Sequence, residues 1–271
     1  MKLLLHACCG PCSLEPTRIL REEGHELTIF YANSNIAPAA EYEHRLQTLV
    51  DWAADEGIPV IEGAYDPASW EAGPGRIGQA ALDEAVAAAD AAGADAGADA
   101  LPPCLSVDPE RRRARCRACY RLRFEETARV AVEGGFEGIC STLSVSPYQY
   151  TDIIREELSR AAGQAGLQEL FRDFRPNFPE ATRRSRELGM YRQNYCGCRF
   201  SDEEAAAERA QRKAQRRAAR EAERAAHAEE RAAEEAARAE RRAQRAEYDA
   251  KQARKHAILK ALREQERKEA D

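Results

Sequence analysis

Short apolar runs alternate with amphipathic stretches near the start of the chain. The runs at 3–5, 26–31 and 58–61 have the length and composition of buried strands, and apolar residues at helical spacing predict helices at 14–23 and 39–56. Ser13 is the expected N-cap of the first helix. Because strands and helices alternate in this order, we predict an α/β fold in which a parallel sheet with right-handed crossovers carries flanking helices.

The same alternation returns in the second half of the chain. The pattern predicts, in order, a helix at 115–133, a strand at 138–143, a helix at 150–164, a strand at 167–171 and a helix at 179–188. Gly134 and Gly135 are typical of a helix C-cap and end the first of these helices. We therefore expect one α/β domain, the catalytic part of the chain, over residues 1–200.

Two segments depart from this pattern. Residues 71–110 are rich in Ala, Gly and Asp and lack large apolar side chains, which predicts a flexible acidic surface insertion. From residue 201 to 271 the composition is dominated by Ala, Arg and Glu, and pairs such as Glu234 with Arg238 stand four residues apart. We predict a long, charged, solvent-exposed C-terminal helix, without the large apolar residues of a coiled-coil seam.

Charge and cysteine content narrow the class of protein. The net charge is −6, but seven arginines between residues 111 and 123 form a basic cluster, which is either a footprint for phosphates or a solvated helix face. Nine cysteines without a recognisable signal peptide indicate metal binding or catalysis in a reducing compartment. With no stretch long enough to span a membrane, we expect a soluble, cytoplasmic protein.

Six cysteines form three close pairs, each near a predicted strand or helix end. The pairs are Cys8 with Cys9, Cys116 with Cys119, and Cys196 with Cys198. Adjacent cysteines in an extended chain point in opposite directions, which suits the several irons of a cluster better than one tetrahedral zinc ion, although zinc stays open. Cys104 has no evident partner and is taken as incidental, and the pattern assigns no role to Cys12 or Cys140.

Two of these cysteine motifs allow redox chemistry as well. Cys9-Gly10-Pro11-Cys12 matches the thioredoxin motif, but the further cysteine pairs favour a metal centre over a plain dithiol oxidoreductase. A disulfide between Cys196 and Cys198 would close a small, strained ring, and strained disulfides are the labile, catalytic ones. The alternative is that this pair supplies cluster ligands.

Several further motifs accompany the cysteine pairs. They are the stretch from Leu3 to Ser13, Asn33 to Pro38, Glu41 to Arg45, Cys116 with Cys119, Arg123 to Glu125 with Thr127, Ser141 to Ser144, and Tyr195 to Cys198. Taken together, these motifs resemble those of the QueH family of epoxyqueuosine reductases. They occur in the order of the family's motifs and cover residues 1–202 apart from the insertion.

The resemblance implies a nucleotide alpha-hydrolase-like (HUP-type) α/β fold and a [4Fe-4S] cluster. It implies that Cys8, Cys9, Cys116 and Cys119 ligate the cluster and that Cys196 and Cys198 are the redox-active pair. The implied reaction is reduction of epoxyqueuosine to queuosine at the wobble position of tRNA, with a tRNA anticodon stem-loop and an unidentified electron donor as partners. An additional iron would act as a Lewis acid on the epoxide oxygen.

The positions of three polar residues add candidate substrate contacts. Asn33 and Asn35 follow a predicted strand and Arg45 lies on the next helix, so we expect all three to face the cysteine site, with loop stabilisation as the alternative for the asparagines. A pyrophosphate-binding loop of the Ser-Gly-Gly-x-Asp-Ser kind does not follow the first strand, so ATP is not expected. The rival functions are an iron–sulfur tRNA thiolase and a non-catalytic, zinc-bound tRNA-binding module.

Overall fold

A parallel sheet forms the centre of the computed structural model, which describes residues 1–92 and 102–269. Its strands are β1 (Lys2–His6), β2 (Glu26–Tyr31), β3 (Val60–Glu62), β4 (Gly138–Ser141) and β5 (Gln168–Glu169). They lie in the order β3-β2-β1-β4-β5, and every pairing is parallel. The chain thus builds one half of the sheet outward from β1 and then returns to place β4 on its other side. In such sheets ligands bind beyond the carboxyl ends of the strands at this reversal, here between β1 and β4.

Helices cover both faces of the sheet. They are α1 (Gly10–Glu22), α2 (Ala39–Asp55), α3 (Pro67–Trp70), α4 (Arg76–Ala92), α5 (Pro109–Glu133), α6 (Thr151–Ala165), α7 (Phe178–Glu187) and α8 (Arg199–Glu269). Short 3₁₀ turns at Pro103–Leu105, Thr142–Val145 and Arg175–Asn177 and a π-helical turn at Glu71–Gly75 complete the described elements. The predicted α/β class and the long C-terminal helix are confirmed.

Alternate residues of β1 pack against opposite layers, as the two-residue period of a strand requires. Leu3 and Leu5 belong to a core shared with α1, α2 and α7, whereas Leu4 packs with residues of α5 and α6. The sheet is therefore buried on both sides. This explains why its central strand reads as an uninterrupted apolar run rather than as an alternating one.

The first helix begins earlier than the sequence pattern predicts. Cys9, rather than Ser13, occupies the N-cap position with an extended backbone, and Pro11 lies in the first turn, where its fixed φ is compatible with a helix. Ser13 instead donates from its hydroxyl to the carbonyl of Cys9 at 2.9 Å. As a result Cys9 and Cys12 lie at the positive end of the α1 dipole, which favours thiolates.

The two segments that depart from the α/β pattern have described structure in part. Within residues 71–110, α4 and the start of α5 are helical, and residues 93–101 lie outside the described part of the chain. The chain divides into two compact units, Met1–Glu208 and Arg209–Asp271, so the boundary falls eight residues beyond the one predicted at residue 200. Phe200 and Glu204, at the start of α8, are buried. Among the described helices, none is long and apolar enough to cross a membrane.

Candidate metal and redox site

Three cysteine sulfurs converge where β1 meets α1. The Sγ atoms of Cys8, Cys9 and Cys12 all lie within 4.8 Å of one another, and the Cys8 thiol donates to Cys9 at 3.9 Å. Soft sulfur ligands at this spacing suit a thiophilic metal or an iron–sulfur centre. The geometry thus makes this cysteine triad a candidate metal-binding site.

The thiols of the triad differ in pKa. Hydrogen bonds from Cys12 and Cys8 hold the pKa of Cys9 well below its usual range, with a further contribution from Gln193. The hydrogen bond with Cys12 favours the thiolate of Cys8, but its bond to Cys9 and burial raise the pKa of Cys8 to about 11. Cys9 is therefore the thiolate of the group, and it is the sulfur best prepared to bind a metal.

A buried arginine lies beside this triad. Arg123 of α5 donates to Nε2 of His6 at 3.2 Å and to the carbonyl oxygen of Ala32 at 3.3 Å, and its Nη2 donates to Oδ1 of Asn33. In the described part of the chain, it forms no ion pair with a carboxylate. Burial lowers the pKa of Arg123, but negative charge at Cys119, Cys8 and Cys196 outweighs this and raises it. The counter-charge of this guanidinium therefore depends on deprotonation of neighbouring cysteine sulfurs.

The second cysteine pair lies on the same helix as Arg123. Cys119 is buried in a small cluster with Trp70, Cys198 and Phe200, while Cys116 packs at the edge of the core that Cys8 also contacts. Burial raises the pKa of Cys119, and the positive charge of Arg123 opposes that rise. The helix thus brings Cys116 and Cys119 to the side of the sheet on which Cys8 packs.

The third pair lies in the loop before α8, held by residues from the loop after β2. The carbonyl of Gly197 accepts from the amide of Ala37 at 3.0 Å, and the carbonyl of Cys196 accepts from Nη1 of Arg45 at 2.9 Å. Gly197 has a φ of +134°, and a Cβ there would come within 2.8 Å of Ile36 Cγ1, so only glycine fits. Burial and the neighbouring Cys196 raise the pKa of Cys198 to about 12.

The three predicted substrate contacts lie in this region but are themselves buried. Asn33 donates to the carbonyl of Ala7 at 2.9 Å and accepts from Arg123, so both ends of its amide are engaged. Arg45 is paired with Glu41 at 2.6 Å. In the described part of the chain, Nη2 of Arg45 and Oδ1 of Asn35 are buried without a hydrogen-bond partner. Buried polar atoms of this kind point to a ligand that satisfies them.

The structure brings the predicted cysteines together unequally. Cys8 and Cys9 share their tight group with Cys12, which the sequence left without a role, whereas Cys116 and Cys119 lie outside that 4.8 Å group. Negative charges at Cys119, Cys196 and Cys198 act on Cys116, so the second and third pairs are electrostatic neighbours. Cys140 is buried in the core on β4, where burial raises its pKa to about 12, as for an inert thiol.

The basic cluster of α5 is engaged with protein carboxylates. Its ion pairs are Arg111–Glu84, Arg112–Glu204, Arg113–Asp152, Arg115–Glu204, Arg117–Glu156 and Arg121–Glu157, and Arg123 is buried at the cysteine site. These arginines thus join α5 to α4, α6 and α8. Except at Arg123, the positive charge of this cluster, which the sequence alone suggests is open to solvent, is therefore neutralised by carboxylates of the same fold.

Sequence reasoning missed two residues that shape the site. Arg123 was counted as part of the basic cluster, although it stands four residues after Cys119, and side chains at this spacing share one helix face. That spacing was the available signal. Gln193, whose hydrogen bonding lowers the pKa of Cys9, lies in an irregular segment far along the chain, and nothing in the sequence pattern indicated it.

A parallel α/β sheet with a thiol-rich centre at the carboxyl ends of its inner strands defines a class of metal- or thiol-dependent enzymes. The family model described as epoxyqueuosine reductase QueH matches residues 3–81 and 104–204. The chain belongs to this family, which confirms the resemblance and assigns the chain to the oxidoreductases. The matched residues omit 82–103, a segment narrower than the predicted insertion.

Individual relatives agree with the family model. An epoxyqueuosine reductase QueH of Dehalococcoides mccartyi is 28% identical over 204 residues, covering 75% of this chain and 93% of the relative. One of Histophilus somni is 31% identical over 204 residues, covering 74% of this chain and 72% of the relative. Among solved structures, a predicted subunit of a tRNA methyltransferase from Methanocaldococcus jannaschii aligns at 12% identity with a TM-score of 0.35, over 70% of this chain and 89% of that one.

Proposed function

We propose that the chain reduces epoxyqueuosine to queuosine at the wobble position of tRNA, using a [4Fe-4S] cluster and the redox-active pair Cys196 and Cys198. Membership of the QueH family supports the reaction, and the cysteine site supports the cofactor. The proposal places the enzyme in the reducing cytoplasm, where its free thiols persist. Its partners are a tRNA anticodon stem-loop and an electron donor.

The observation that carries the cofactor proposal is the environment of Arg123. A buried guanidinium needs a counter-charge, because an unpaired charge in the interior costs several kcal/mol. In the described part of the chain no carboxylate pairs with Arg123, and the groups whose negative charge acts on it are the sulfurs of Cys8, Cys119 and Cys196 once they are deprotonated. Several sulfurs around one cation suit an anionic iron–sulfur centre, because binding the metal removes the thiol protons.

Cys8, Cys9, Cys116 and Cys119 are the proposed ligands of the cluster. Cys9 carries thiolate character, and the other three have raised pKa values, so binding a metal releases their protons. Cys12 lies in the tight triad and is available to an additional iron. The cluster supplies single-electron transfer when it is bound.

The redox balance of the reaction matches a cysteine pair. Opening the epoxide and losing its oxygen as water consumes two electrons and two protons. Oxidation of the Cys196 and Cys198 thiols to a disulfide forms one S–S bond and releases two electrons and two protons. An external donor of two electrons then restores both thiols. Cys198 holds its proton at neutral pH because burial raises its pKa to about 12.

The residues that hold the cysteine loop also offer groups to the substrate. Asn35 and Arg45 approach Gly197 with Nδ2 and Nη1, and each also has a buried polar atom without a partner, Oδ1 of Asn35 and Nη2 of Arg45. We assign these two atoms to binding the nucleoside. Asn33 acts through Arg123, since its amide is bonded at both ends. His6 is neutral: burial, followed by the charge of Arg123, lowers its pKa to about 3. Nε2 of His6 lies 3.2 Å from Arg123 Nε and 3.3 Å from the carbonyl oxygen of Ala32, and its Nδ1 lies 3.1 Å from Ser141 Oγ.

Nucleoside analysis tests the proposal directly. The protein is purified anaerobically, its iron, sulfide and zinc are measured, and it is incubated under reducing conditions with tRNA that carries epoxyqueuosine. We expect about four irons per chain and conversion to queuosine. Cys9→Ala should lose both, whereas Cys104→Ala, which alters a half-buried thiol in a 3₁₀ turn, should keep both. Stoichiometric zinc without conversion would favour the tRNA-binding module instead.

A further inference from the structure

The densest positive charge of the C-terminal helix lies in one short segment, although a second stretch without acidic residues, 250–263, holds five cations among its fourteen residues. Residues 209–220 contain six cationic side chains and no acidic one, while residues 221–271 contain thirteen cationic and thirteen acidic side chains. The near balance of the whole tail therefore conceals a local block of charge. This basic segment, 209–220, lies entirely within the second compact unit.

The cations of the basic segment share one surface of α8. A groove along the helix is lined by Arg209, Arg212, Lys213, Arg216, Arg217 and Arg220, and all six side chains are exposed. Residues three and four apart are neighbours on a helix, so these charges follow one another along its length. At a rise of about 1.5 Å per residue, the row extends over roughly 16 Å.

Local electrostatics oppose this arrangement. Arg209 and Lys213, like Arg216 and Arg220, stand four residues apart with the same charge, and such pairs destabilise a helix. Elsewhere in α8 the same spacing joins opposite charges, as in Glu234–Arg238 and Glu247–Lys251. Like charges also stand four residues apart elsewhere in α8, as at Arg238 and Arg242, but the basic segment contains no acidic side chain to offset them. We therefore expect the cost in helix stability to be offset by a gain in binding.

The basic segment differs from the basic cluster of α5 in its partners. Apart from Arg123, the arginines of the α5 cluster are paired with carboxylates, as described above. Within the described part of the chain, Arg209, Lys213, Arg216 and Arg220 form no ion pair, whereas Arg217 pairs with Glu221 and its side chain stays 81% exposed. The four unpaired cations thus remain available to an external polyanion.

We propose that the basic segment binds the phosphate backbone of RNA. Arginine forks match phosphate oxygens, and a row of cations follows a strand of successive phosphates. The residues between the cations are only Ala and Gln, so the surface lacks the apolar anchors of a protein interface or of a helix that enters a membrane surface. The proposal rests on the proposed function only for the choice of tRNA as the probe.

Salt-dependent binding of an unmodified tRNA transcript to the full-length holoprotein tests the proposal. Replacing Arg209, Lys213, Arg216 and Arg220 by Gln keeps helix propensity and removes four charges. We expect affinity to fall at least about tenfold and the slope of log K against log salt to decrease by roughly 3, because fewer counterions are released. Replacing the three arginines by Lys instead should retain most of the affinity.

A matched control separates the basic segment from overall charge. Replacing Arg231, Arg238, Arg241 and Arg242 by Gln removes the same charge from a part of α8 that also carries acidic side chains, and should leave affinity and slope within about twofold of the parent. Equal losses in both variants, or no loss in either, overturn the proposal. The proposal is also overturned if the basic segment binds polyglutamate or phosphatidylserine vesicles more tightly than it binds tRNA. Helix content by circular dichroism confirms that the variants are folded.

Turnover of a short anticodon stem-loop keeps this test distinct from that of the catalytic proposal. The variant of the basic segment should convert the stem-loop at the parent rate, since the replaced residues lie outside the cysteine-bearing unit. If neither the parent protein nor any variant forms queuosine, the catalytic proposal fails. The tRNA-binding comparison still decides the role of the basic segment.

Discussion

Arg123 donates a hydrogen bond from Nε to Nε2 of His6 at 3.2 Å, and both side chains are buried. The contact affects the charge of the histidine. Burial and the adjacent cation lower the pKa of His6 to about 3, so the histidine is neutral and adds no second positive charge beside the guanidinium. The positive charge of Arg123 therefore acts on the cysteine sulfurs. Because these cysteines lie on separate segments of the chain, Arg123 links them electrostatically.

Removing the charge of Arg123 should weaken the metal centre. We expect Arg123→Met to lower the iron content and to shift the reduction potential of the retained cluster to more negative values, because a cation no longer stabilises the added electron. The groups it leaves unpaired on His6 and Asn33 should each cost about 1–3 kcal/mol. Iron analysis, potentiometry and thermal unfolding measure these effects.

Arg129→Met is the matched control, since Arg129 lies on the same helix and only pairs with Glu133 at the surface. It should leave iron content, potential and stability nearly unchanged. An unchanged potential in Arg123→Met would show that the guanidinium does not act on the cluster.

Gly197→Ala should separate the redox pair from the cluster ligands. The added Cβ is strained by the positive φ and would lie 2.8 Å from Ile36, so the loop that carries Cys196 and Cys198 must shift. A displacement on the order of 1 Å costs about 10²-fold in turnover. Iron content should stay the same, because the proposed ligands lie elsewhere.

For comparison, Gly189→Ala meets a positive φ of 62° but has no atom within 4 Å of the new Cβ. It should cost about 1 kcal/mol of stability and little turnover. Loss of iron in Gly197→Ala alone would mean that Cys196 or Cys198 is a cluster ligand.

The acid stability of the fold should depend on Glu157. Burial opposes its ionisation, but hydrogen bonds from Arg121, Arg160 and Arg117 lower its pKa to about 2. A carboxyl group whose pKa is depressed on folding stabilises the protein above its unfolded pKa of about 4.3, and that contribution is lost as the pH falls towards 2. We expect at most about 3 kcal/mol at pH 7.

Glu157→Gln should therefore lower the Tm at pH 7 and flatten its decline between about pH 5 and 2. Glu156→Gln, next to it and more than half exposed, pairs only with Arg117 and should change the Tm little. Identical pH profiles of the parent and Glu157→Gln would contradict this account.

The position of a C-terminal truncation should decide whether the first unit survives. Truncation after Glu208 keeps that unit whole and should retain the fold, the cluster and turnover of an isolated anticodon stem-loop. Truncation after Asp202, where the stretch covered by the family motifs ends, removes Glu204 from its buried pair with Arg115 at 2.9 Å. Leaving one buried charge unpaired costs about 3–5 kcal/mol.

Thermal unfolding and iron content of the two truncations test this expectation. Equal stability of both would show that Glu204 contributes nothing to the first unit. Loss of iron after truncation at Glu208 would show that the long helix is needed to complete the site.

The amino-acid sequence by itself determined the elements and the chemistry of this protein. The apolar run at Leu3 to Leu5 specified the central strand, and β2 and α2 lie within a residue of their predicted bounds, because propensity and periodicity act over a few neighbouring residues. Ordered cysteine motifs were enough to identify the family. The start of α1 was misplaced because Ser13 bonds a carbonyl inside the helix instead of capping it.

Only the tertiary structure decided which of these residues meet. The strand order 3-2-1-4-5 places β4 beside β1 and so sets α5, with Cys116, Cys119 and Arg123, against the end of the first strand. Arg123 and His6 are 117 positions apart, and Arg45 and Cys196 are 151 apart. Such contacts depend on the packing of the whole sheet rather than on local pattern. For the same reason the arginines of the α5 cluster, which look alike in sequence, have different roles. Six of them pair with carboxylates, and Arg123 lies among the cysteine sulfurs.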